Sequence, residues 1–253
     1  MGARAMSTVR LRFYAELNDF LTPRRRHVEF DQPFGAGATI KDVVEAAGVP
    51  HTEVDLALVN GRSVDFGYPV QDGDRASVYP VFESIDIAPA LHLRPQPLRE
   101  TRFVLDGHLG RLAKLLRLLG FDALYRNDYG DAEFARVSRD ERRILLTRDR
   151  DVLKRSQVTH GYYVRETLPR RQAVEVLRRF DLRRSIQPFT RCARCNGLLR
   201  PAAKAEVFDR LEPKTKIYYH EFHQCGDCGQ VYWRGSHFEP IQRLVEDIQE
   251  SLP

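Results

Sequence analysis

The stretch LLTRDRD, residues 145–151, is the clearest indication of the fold in the central part of the chain. Its apolar beginning is typical of a buried strand, and the acidic residues Asp149 and Asp151 follow directly. Upstream, the strand-like residues at 103–105 are followed in the same way by Asp106. Parallel strands in an open α/β sheet bring their carboxyl ends to one edge, so the sequence predicts that these carboxylates lie close together.

Strand-like and helix-like segments alternate between about residue 100 and residue 185. This alternation predicts an α/β domain with a parallel sheet that is covered by helices on both faces. In the helix after Asp106, leucines form a buried stripe, while Arg111, Lys114 and Arg117 recur on another face. We expect these three cations to lie beside the first carboxylate.

The sequence pattern of the N-terminal part of the chain predicts a different fold class, a β-grasp of α+β type. A single helix is expected from Thr39 to Ala47, with Thr39 as its N-cap and Gly48 as its end. Period-two patterns predict two strands before this helix and two after it, at residues 9–13, 28–30, 56–59 and 75–81.

Three segments of this domain resemble a known family: FYAELNDFL at 13–21, LVNGRSV at 58–64 and QDGDRASVYPV at 71–81. Together they look like the ubiquitin-like sulfur carriers, such as the molybdopterin-synthase small subunit and the thiamine sulfur carrier. Those carriers act through a tail that ends in Gly-Gly. No Gly-Gly pair occurs in this chain, so we expect the shape without the sulfur chemistry.

We therefore predict three folded parts. A ubiquitin-like β-grasp domain occupies residues 1–87, and a proline-rich linker at 88–100 separates it from an α/β domain at 101–186. A cysteine module with a C-terminal helix occupies residues 187–253. No apolar stretch is long enough for a membrane span and no export signal is recognisable, so a cytoplasmic location without membrane contact is the default expectation.

Charge is distributed unevenly along the chain. Residues 1–90 hold 9 Lys and Arg against 13 Asp and Glu, whereas residues 91–253 hold 31 against 22. A local excess of cations favours polyanionic partners such as RNA, because neutralised phosphates release counterions. A solvated basic surface without a partner is the alternative.

All four cysteines occur as two CxxC pairs with 29 residues between them. Two such turns can direct four thiolates at one Zn²⁺, which predicts a closed, structural zinc site. Disulfides are the alternative, and the expected cytoplasmic location disfavours them. We expect strands at 217–222 and 230–233 to form a zinc-ribbon hairpin. The predicted ligands are Cys192, Cys195, Cys225 and Cys228.

The candidate carboxylates lie at or next to predicted junctions between strands and helices. Hard divalent ions such as Mg²⁺ and Mn²⁺ prefer oxygen ligands, and they activate water for phosphodiester hydrolysis. For each aspartate alone, a helix cap or a turn is an equally good explanation. The predicted cluster is Asp106, Asp131, Asp149 and Asp151, with Asp128 and Glu133 as alternatives for the second carboxylate.

Residues 103–153, from FVLDGHLGRLAKLLRLLGFD to LLTRDRDVL, resemble the Mut-seven C-terminal RNase family, a branch of the PIN-like nucleases. Members with this β-grasp in front are ubiquitin/RNase proteins of the same family. The family motifs match at Asp106, at Asp131 and at Thr147-Arg148-Asp149. The resemblance implies a metal-dependent ribonuclease, and it adds Asp151 as the fourth acidic residue.

Roles for other residues follow from this interpretation. Thr147 would orient a carboxylate or a water molecule, and Arg148, Arg111 and Lys114 would hold phosphates. Aromatic and cationic residues of the ribbon suit unpaired bases, and Trp233 and His237 are the predicted RNA contacts. The β-grasp domain would dock a protein or RNA. A non-catalytic RNA-binding or adaptor protein is the alternative, and the sequence leaves the oligomeric state open.

Overall fold

The computed structural model describes residues 7–80 and 101–252. These residues form two compact units: residues 7–80 with 149–163, and residues 101–148 with 164–252. The segment 149–163 thus clusters with the N-terminal unit, although its position in the sequence is within the predicted α/β domain. The predicted linker at 88–100 lies outside the described residues, and the predicted domain boundaries stay predictions.

The N-terminal sheet has the order β2-β1-β5-β3-β4, and the central strands β1 and β5 are parallel. A single helix, α1, lies between β2 and β3 in the chain, which confirms the predicted β-grasp. The predicted strand at 28–30 is displaced, because the chain pairs with β1 only from Phe30 onward. The elements are β1 Ser7–Phe13, β2 Phe30–Phe34, α1 Ile40–Ala46, β3 Val54–Val59, β4 Arg62–Val64 and β5 Arg75–Pro80.

Helix α1 begins as the sequence predicts. The Thr39 hydroxyl accepts a hydrogen bond from the Asp42 amide, and the Asp42 carboxylate accepts one from the Thr39 amide at 2.8 Å. This reciprocal capping satisfies two amides that have no partner inside the helix. After the helix, Gly48 adopts φ +106°, a conformation that residues with a side chain rarely adopt.

The second sheet contains β7, β6 and β8, and the central strand β6 pairs in parallel with both β7 and β8. The predicted parallel sheet is therefore confirmed. Strands β6 and β8 are almost entirely buried, as expected for strands covered on both faces. The elements are β6 Arg102–Leu105, α2 Gly110–Leu118, β7 Asp122–Tyr125, α3 Asp131–Asp140, β8 Ile144–Thr147, α4 Arg150–Leu153, β9 Gly161–Tyr163 and α5 Pro169–Arg179.

A third sheet, β10-β11-β12, is antiparallel and forms the ribbon. The predicted strand at 217–222 is wrong in its first part. Residues Pro213–Tyr218 form helix α7, in which Pro213 occupies the first turn, where its missing N–H costs nothing. The elements are β10 Leu199–Ala202, α6 Lys204–Val207, α7, β11 Phe222–Cys225, β12 Val231–Trp233 and α8 Phe238–Glu250.

Among the helices in residues 7–80 and 101–252, none has both the length and the apolar character that crossing a bilayer requires.

Candidate functional site

Asp106 follows the last residue of β6 and is buried, with 7% of its surface exposed. Its Oδ1 accepts a hydrogen bond from the His108 amide at 2.9 Å. Its Oδ2 accepts from the Thr147 hydroxyl and from the Arg148 amide, the latter at 3.1 Å. A carboxylate has about four acceptor positions, so one position on Oδ1 remains beyond these three bonds.

The ends of β6 and β8 are joined at this point. The Asp106 amide donates to the Leu146 carbonyl at 3.2 Å, while Thr147 at the end of β8 is fully buried and donates to the Asp106 carboxylate. The structure thus brings together two of the residues predicted from separate segments, Asp106 and Thr147. Because both are held by backbone and side-chain bonds, the carboxylate has a defined orientation.

Arg148 has a structural contact that the sequence does not suggest. Its Nη1 donates to the carbonyls of Val164, Arg165 and Glu166, at 3.1, 2.9 and 2.5 Å. This side chain therefore organises the loop before α5. Phosphate binding by Arg148, which remains a prediction, would have to use its other guanidinium nitrogens.

The candidates for the second carboxylate lie near the start of α3. Asp128 binds Arg126 through both oxygens at 3.1 Å, which holds the pKa of this exposed carboxyl below its ordinary value. Glu133 pairs with Arg136 at 3.3 Å. Asp131 is exposed in the first helical turn, and Gly130 rather than Asp131 occupies the N-cap position.

Asp149 and Asp151 belong to the other compact unit. Asp149 is the N-cap of α4, and its Oδ1 accepts from the Asp151 amide at 2.8 Å. The Asp151 side chain is 90% exposed and lies 3.5 Å from the Lys154 ammonium group. Both aspartates therefore make local bonds of the kind that helix starts require, and their carboxylates are at the surface.

The four aspartates offer the oxygen donors that a hard divalent ion prefers. Mg²⁺ retains several water molecules and often uses only one or two direct carboxylates. Asp106 has one acceptor position remaining, and Asp131 and Asp151 are exposed. Among the described residues, however, no three of these carboxylates lie within 4.8 Å of one another, so a divalent-ion site made by the four aspartates stays a prediction.

The four cysteines form a much tighter group. Within residues 7–80 and 101–252, they are the one set of three or more His, Cys, Asp or Glu side chains whose ligand atoms all lie within 4.8 Å. The Sγ atoms of Cys192 and Cys228 are 3.7 Å apart, and those of Cys195 and Cys225 are 3.4 Å apart. Tetrahedral Zn²⁺ with Zn–S bonds of about 2.3 Å separates its sulfurs by about 3.8 Å. The predicted S₄ zinc site fits this geometry, and all four cysteines are free thiols.

Both CxxC turns have the same backbone hydrogen bond and a positive φ at the same position. The Asn196 amide donates to the Cys192 carbonyl at 2.9 Å, and the Gly229 amide donates to the Cys225 carbonyl at 3.1 Å. Asn196 and Gly229 both adopt positive φ, at +79° and +72°. The residue after each second cysteine therefore reverses the chain, and a residue that tolerates the left-handed region is needed there.

Tyr232 supports the thiol group from β12, with its Oη 3.1 Å from the Cys192 Sγ. Burial raises the pKa of Cys192, but hydrogen bonds from Tyr232 and from backbone amides outweigh burial and lower it to about 7. Burial and the neighbouring thiols raise the pKa of Cys195 to about 12. A bound Zn²⁺ would hold both cysteines as thiolates, so this difference between their pKa values would disappear.

The first CxxC turn is attached to the α/β domain through Arg117. Arg117 is buried, with 5% of its surface exposed. Its guanidinium donates to the carbonyl of Ala123 in β7 at 2.8 Å and to those of Ala193 and Arg194 in the turn, at 3.3 and 3.0 Å. The prediction that Arg117 lies beside the first carboxylate with Arg111 and Lys114 is therefore wrong. Arg117 lies four residues after Ala113 on the buried face of α2, and this spacing was the sequence signal for its burial.

A second connection joins the first CxxC turn to β7, and the sequence does not predict it. The Asn196 side chain donates to Asp122 Oδ1 at 2.8 Å and accepts from the Ala123 amide at 2.9 Å. Arg143 donates to the same Asp122 oxygen at 2.6 Å and to the Phe103 carbonyl at 3.2 Å. These contacts lie at the amino-terminal ends of the three strands, whereas Asp106 follows the carboxyl end of β6.

The predicted substrate contacts are at the surface. Arg111 and Lys114 are exposed on α2, and His237 is exposed before α8. Trp233 is 36% exposed, and its ring centroid is 6.5 Å from that of Phe222. Of the other ribbon aromatics, Tyr219 packs against the small core and Tyr218 is 71% exposed.

Two family comparisons match the chain, while no curated protein and no solved structure matches it significantly. The Mut7-C ubiquitin family matches residues 6–86. The Mut7-C RNAse domain family matches residues 101–245, more than half of the chain, and this range includes Asp106, Thr147 and all four cysteines. The chain therefore belongs to the Mut7-C RNAse domain family and carries a Mut7-C ubiquitin domain in front of that domain.

Proposed function

We propose that this protein is a ribonuclease that depends on Mg²⁺ or Mn²⁺ and hydrolyses RNA phosphodiester bonds. Membership of the Mut7-C RNAse domain family supports the nuclease activity. The observation that carries the metal dependence is the buried Asp106 carboxylate, which Thr147 and the Arg148 amide orient at the carboxyl end of β6. Ligands in open α/β sheets usually bind at this edge.

Asp106 and Asp131, with Asp149 and Asp151, would hold the divalent ion. When bound, the ion would lower the pKa of a water molecule and stabilise charge on the phosphate. Thr147 keeps the Asp106 Oδ2 occupied by a donor, so Oδ1 is the oxygen that is available to the ion. Arg111 and Lys114, with the remaining donors of Arg148, would hold phosphates beside the scissile bond.

The zinc module would have two roles. Its closed S₄ site leaves no coordination position for a substrate, so zinc would be structural. Trp233 and His237 would contact unpaired bases, because aromatic faces among cations suit single-stranded RNA. A cytoplasmic location and a protein partner for the β-grasp domain remain further proposals.

The test is cleavage of labelled single-stranded RNA by the purified full chain, with Mg²⁺, Mn²⁺ or a chelator. We expect cleavage that requires a divalent ion and that falls at least a hundredfold in Asp106→Asn. Asp140→Asn, on the exposed C-terminal turn of α3, is the matched control and should cleave normally. Comparing Asp128→Asn, Asp131→Asn and Glu133→Gln identifies the second carboxylate.

The alternative is a non-catalytic RNA-binding or adaptor protein. The basic excess after residue 90 and the exposed ribbon aromatics support RNA binding with or without cleavage. Wild-type protein that binds RNA but leaves it intact with every divalent ion tested would favour this alternative.

A further inference from the structure

The N-terminal compact unit contains a segment from the middle of the nuclease sequence. This segment, residues 149–163, comprises α4, β9 and the loop between them, and we refer to it as the clamped segment. It begins with Asp149 and Asp151, the proposed third and fourth metal ligands. Contacts within this unit show how the β-grasp domain holds it.

Arg150 makes the first connection. Its guanidinium donates to the carbonyls of Asp19 and Phe20, both at 3.3 Å. The same group stacks over the rings of Phe20 and Tyr163, at 4.9 and 5.3 Å from their centroids. Those two rings also meet edge to face at 5.5 Å. Arg150, which lies between the two aspartates in sequence, is therefore directed into the β-grasp domain.

Glu53 makes the second connection. Its side chain is 1% exposed, and its Oε1 accepts a hydrogen bond from the Tyr163 amide at 2.5 Å. Removal of this acceptor would leave a buried amide without the partner that the structure gives it.

His51 makes the third connection. Its ring is buried and lies between two acceptors, with Nδ1 2.6 Å from Glu45 Oε1 and Nε2 2.9 Å from the Val158 carbonyl. The ring thus joins the end of α1 to the loop of the clamped segment. Contacts from Phe20, His51 and Glu53 reach the segment at its beginning, its middle and its end.

The clamped segment needs external support of this kind. Helix α4 has four residues and β9 has three, whereas isolated helices shorter than about 12 residues are marginal in water. Val152, Leu153 and Val158 are buried, so the segment also contributes apolar side chains to its surroundings. Its conformation is therefore determined by what it packs against.

We propose that the β-grasp domain is an internal positioning module for the nuclease. Glu53, His51 and Phe20 hold the clamped segment and thereby set where Asp149 and Asp151 present their carboxylates. Glu53 and His51 are positioning residues, and so is Arg150. The effect on catalysis rests on the proposed ribonuclease function, while the holding of the segment does not.

The experiment uses the full chain and two readouts. Hydrogen exchange measured by mass spectrometry reports the opening of residues 149–163, and the Mn²⁺ concentration for half-maximal RNA cleavage reports the placement of the carboxylates. The variants are Arg150→Ala, Glu53→Ala and Glu53→Gln, which keeps an acceptor for the Tyr163 amide. Val59→Ala removes buried atoms at the opposite end of β3 and is the control for general destabilisation of the β-grasp domain.

We expect Arg150→Ala and Glu53→Ala to speed exchange of the clamped segment by about tenfold or more, because each substitution leaves a partly buried backbone group without its hydrogen-bond partner. The half-saturating Mn²⁺ concentration should rise about as much, with Glu53→Gln close to wild type on both readouts. Val59→Ala should leave both readouts for the segment unchanged.

Three results would overturn parts of the proposal. Wild-type exchange in both alanine variants would show that the β-grasp domain does not hold the segment. Faster exchange with unchanged Mn²⁺ dependence would show that holding does not position the carboxylates. If wild-type protein cleaves no RNA, the ribonuclease proposal fails, and the exchange measurements still decide whether the segment is clamped.

Discussion

Asn196, which follows the second cysteine of the first CxxC turn, donates a hydrogen bond to Asp122, the first residue of β7, at 2.8 Å. Asp122 also accepts from Arg143 at 2.6 Å, and Arg191 lies 3.7 Å from its other oxygen. One carboxylate thus joins the first CxxC turn to two strands of the parallel sheet. The cysteine module is therefore attached to the sheet at the edge opposite Asp106.

This relationship predicts a pH dependence of stability. Burial raises the pKa of Asp122, but hydrogen bonds from Arg143 and Asn196 outweigh it and hold the pKa below the ordinary value of 3.8. A carboxyl group with a lowered pKa in the folded state stabilises that state fully above pH 3.8, and the contribution is lost as the pH falls further. Asp122→Asn should lower the free energy of unfolding at pH 7 and flatten its decline in acid, measured by denaturant titration. Asp128→Asn, at an exposed ion pair, should leave the acid profile almost unchanged.

Arg117 should be essential for stability in spite of its place in a basic helix. Arg117→Ala removes donors from the carbonyls of Ala123, Ala193 and Arg194, and we expect a loss of roughly 2–3 kcal/mol in the free energy of unfolding. Lys114→Ala on the exposed face of the same helix should change it by about 0.5 kcal/mol or less. Equal effects of the two substitutions in urea unfolding would contradict the buried role of Arg117.

Gly197 should be intolerant of any side chain. A Cβ atom at this position would lie 2.4 Å from Asp227 Oδ2 and 2.8 Å from the Cys225 Sγ, closer than atoms approach in folded proteins. Gly197→Ala should therefore lower both the melting temperature and the zinc content, which is expected to be one ion per wild-type chain. Gly226→Ala has its nearest neighbouring atom at 4.0 Å and serves as the matched control. Normal zinc content in Gly197→Ala would show that the turn adapts.

Thr147 should affect cleavage more than folding. Thr147→Val keeps the shape of this buried side chain but removes the donor to Asp106, so the carboxylate loses part of its orientation. We expect RNA cleavage to fall roughly tenfold to a hundredfold, since a donor to a charged group contributes about 1.5–3 kcal/mol. Thr147→Ser retains the hydroxyl and should restore most of the activity. Full activity of Thr147→Val would remove Thr147 from the proposed site.

Patterns within single elements could be predicted well from the sequence. The cap at Thr39, the strand that ends at Thr147 and both CxxC turns depend on neighbours in the chain, and all four appear where expected. Helix α7 was mistaken for a strand because a short apolar stretch does not distinguish the two. In the structure, Ile217 is 66% exposed, so this residue contributes little to a core.

The fold classes, the candidate zinc ligands and the acidic candidates could be predicted from the sequence, because they follow from local periodicity and from the chemistry of closely spaced residues. The partners of the arginines, in contrast, depend on the three-dimensional fold. Arg117 binds the first CxxC turn, Arg148 binds the loop before α5, and Arg150 binds the β-grasp domain. A guanidinium group reaches any carbonyl that the fold brings near it, and no spacing in the sequence records which carbonyl that is.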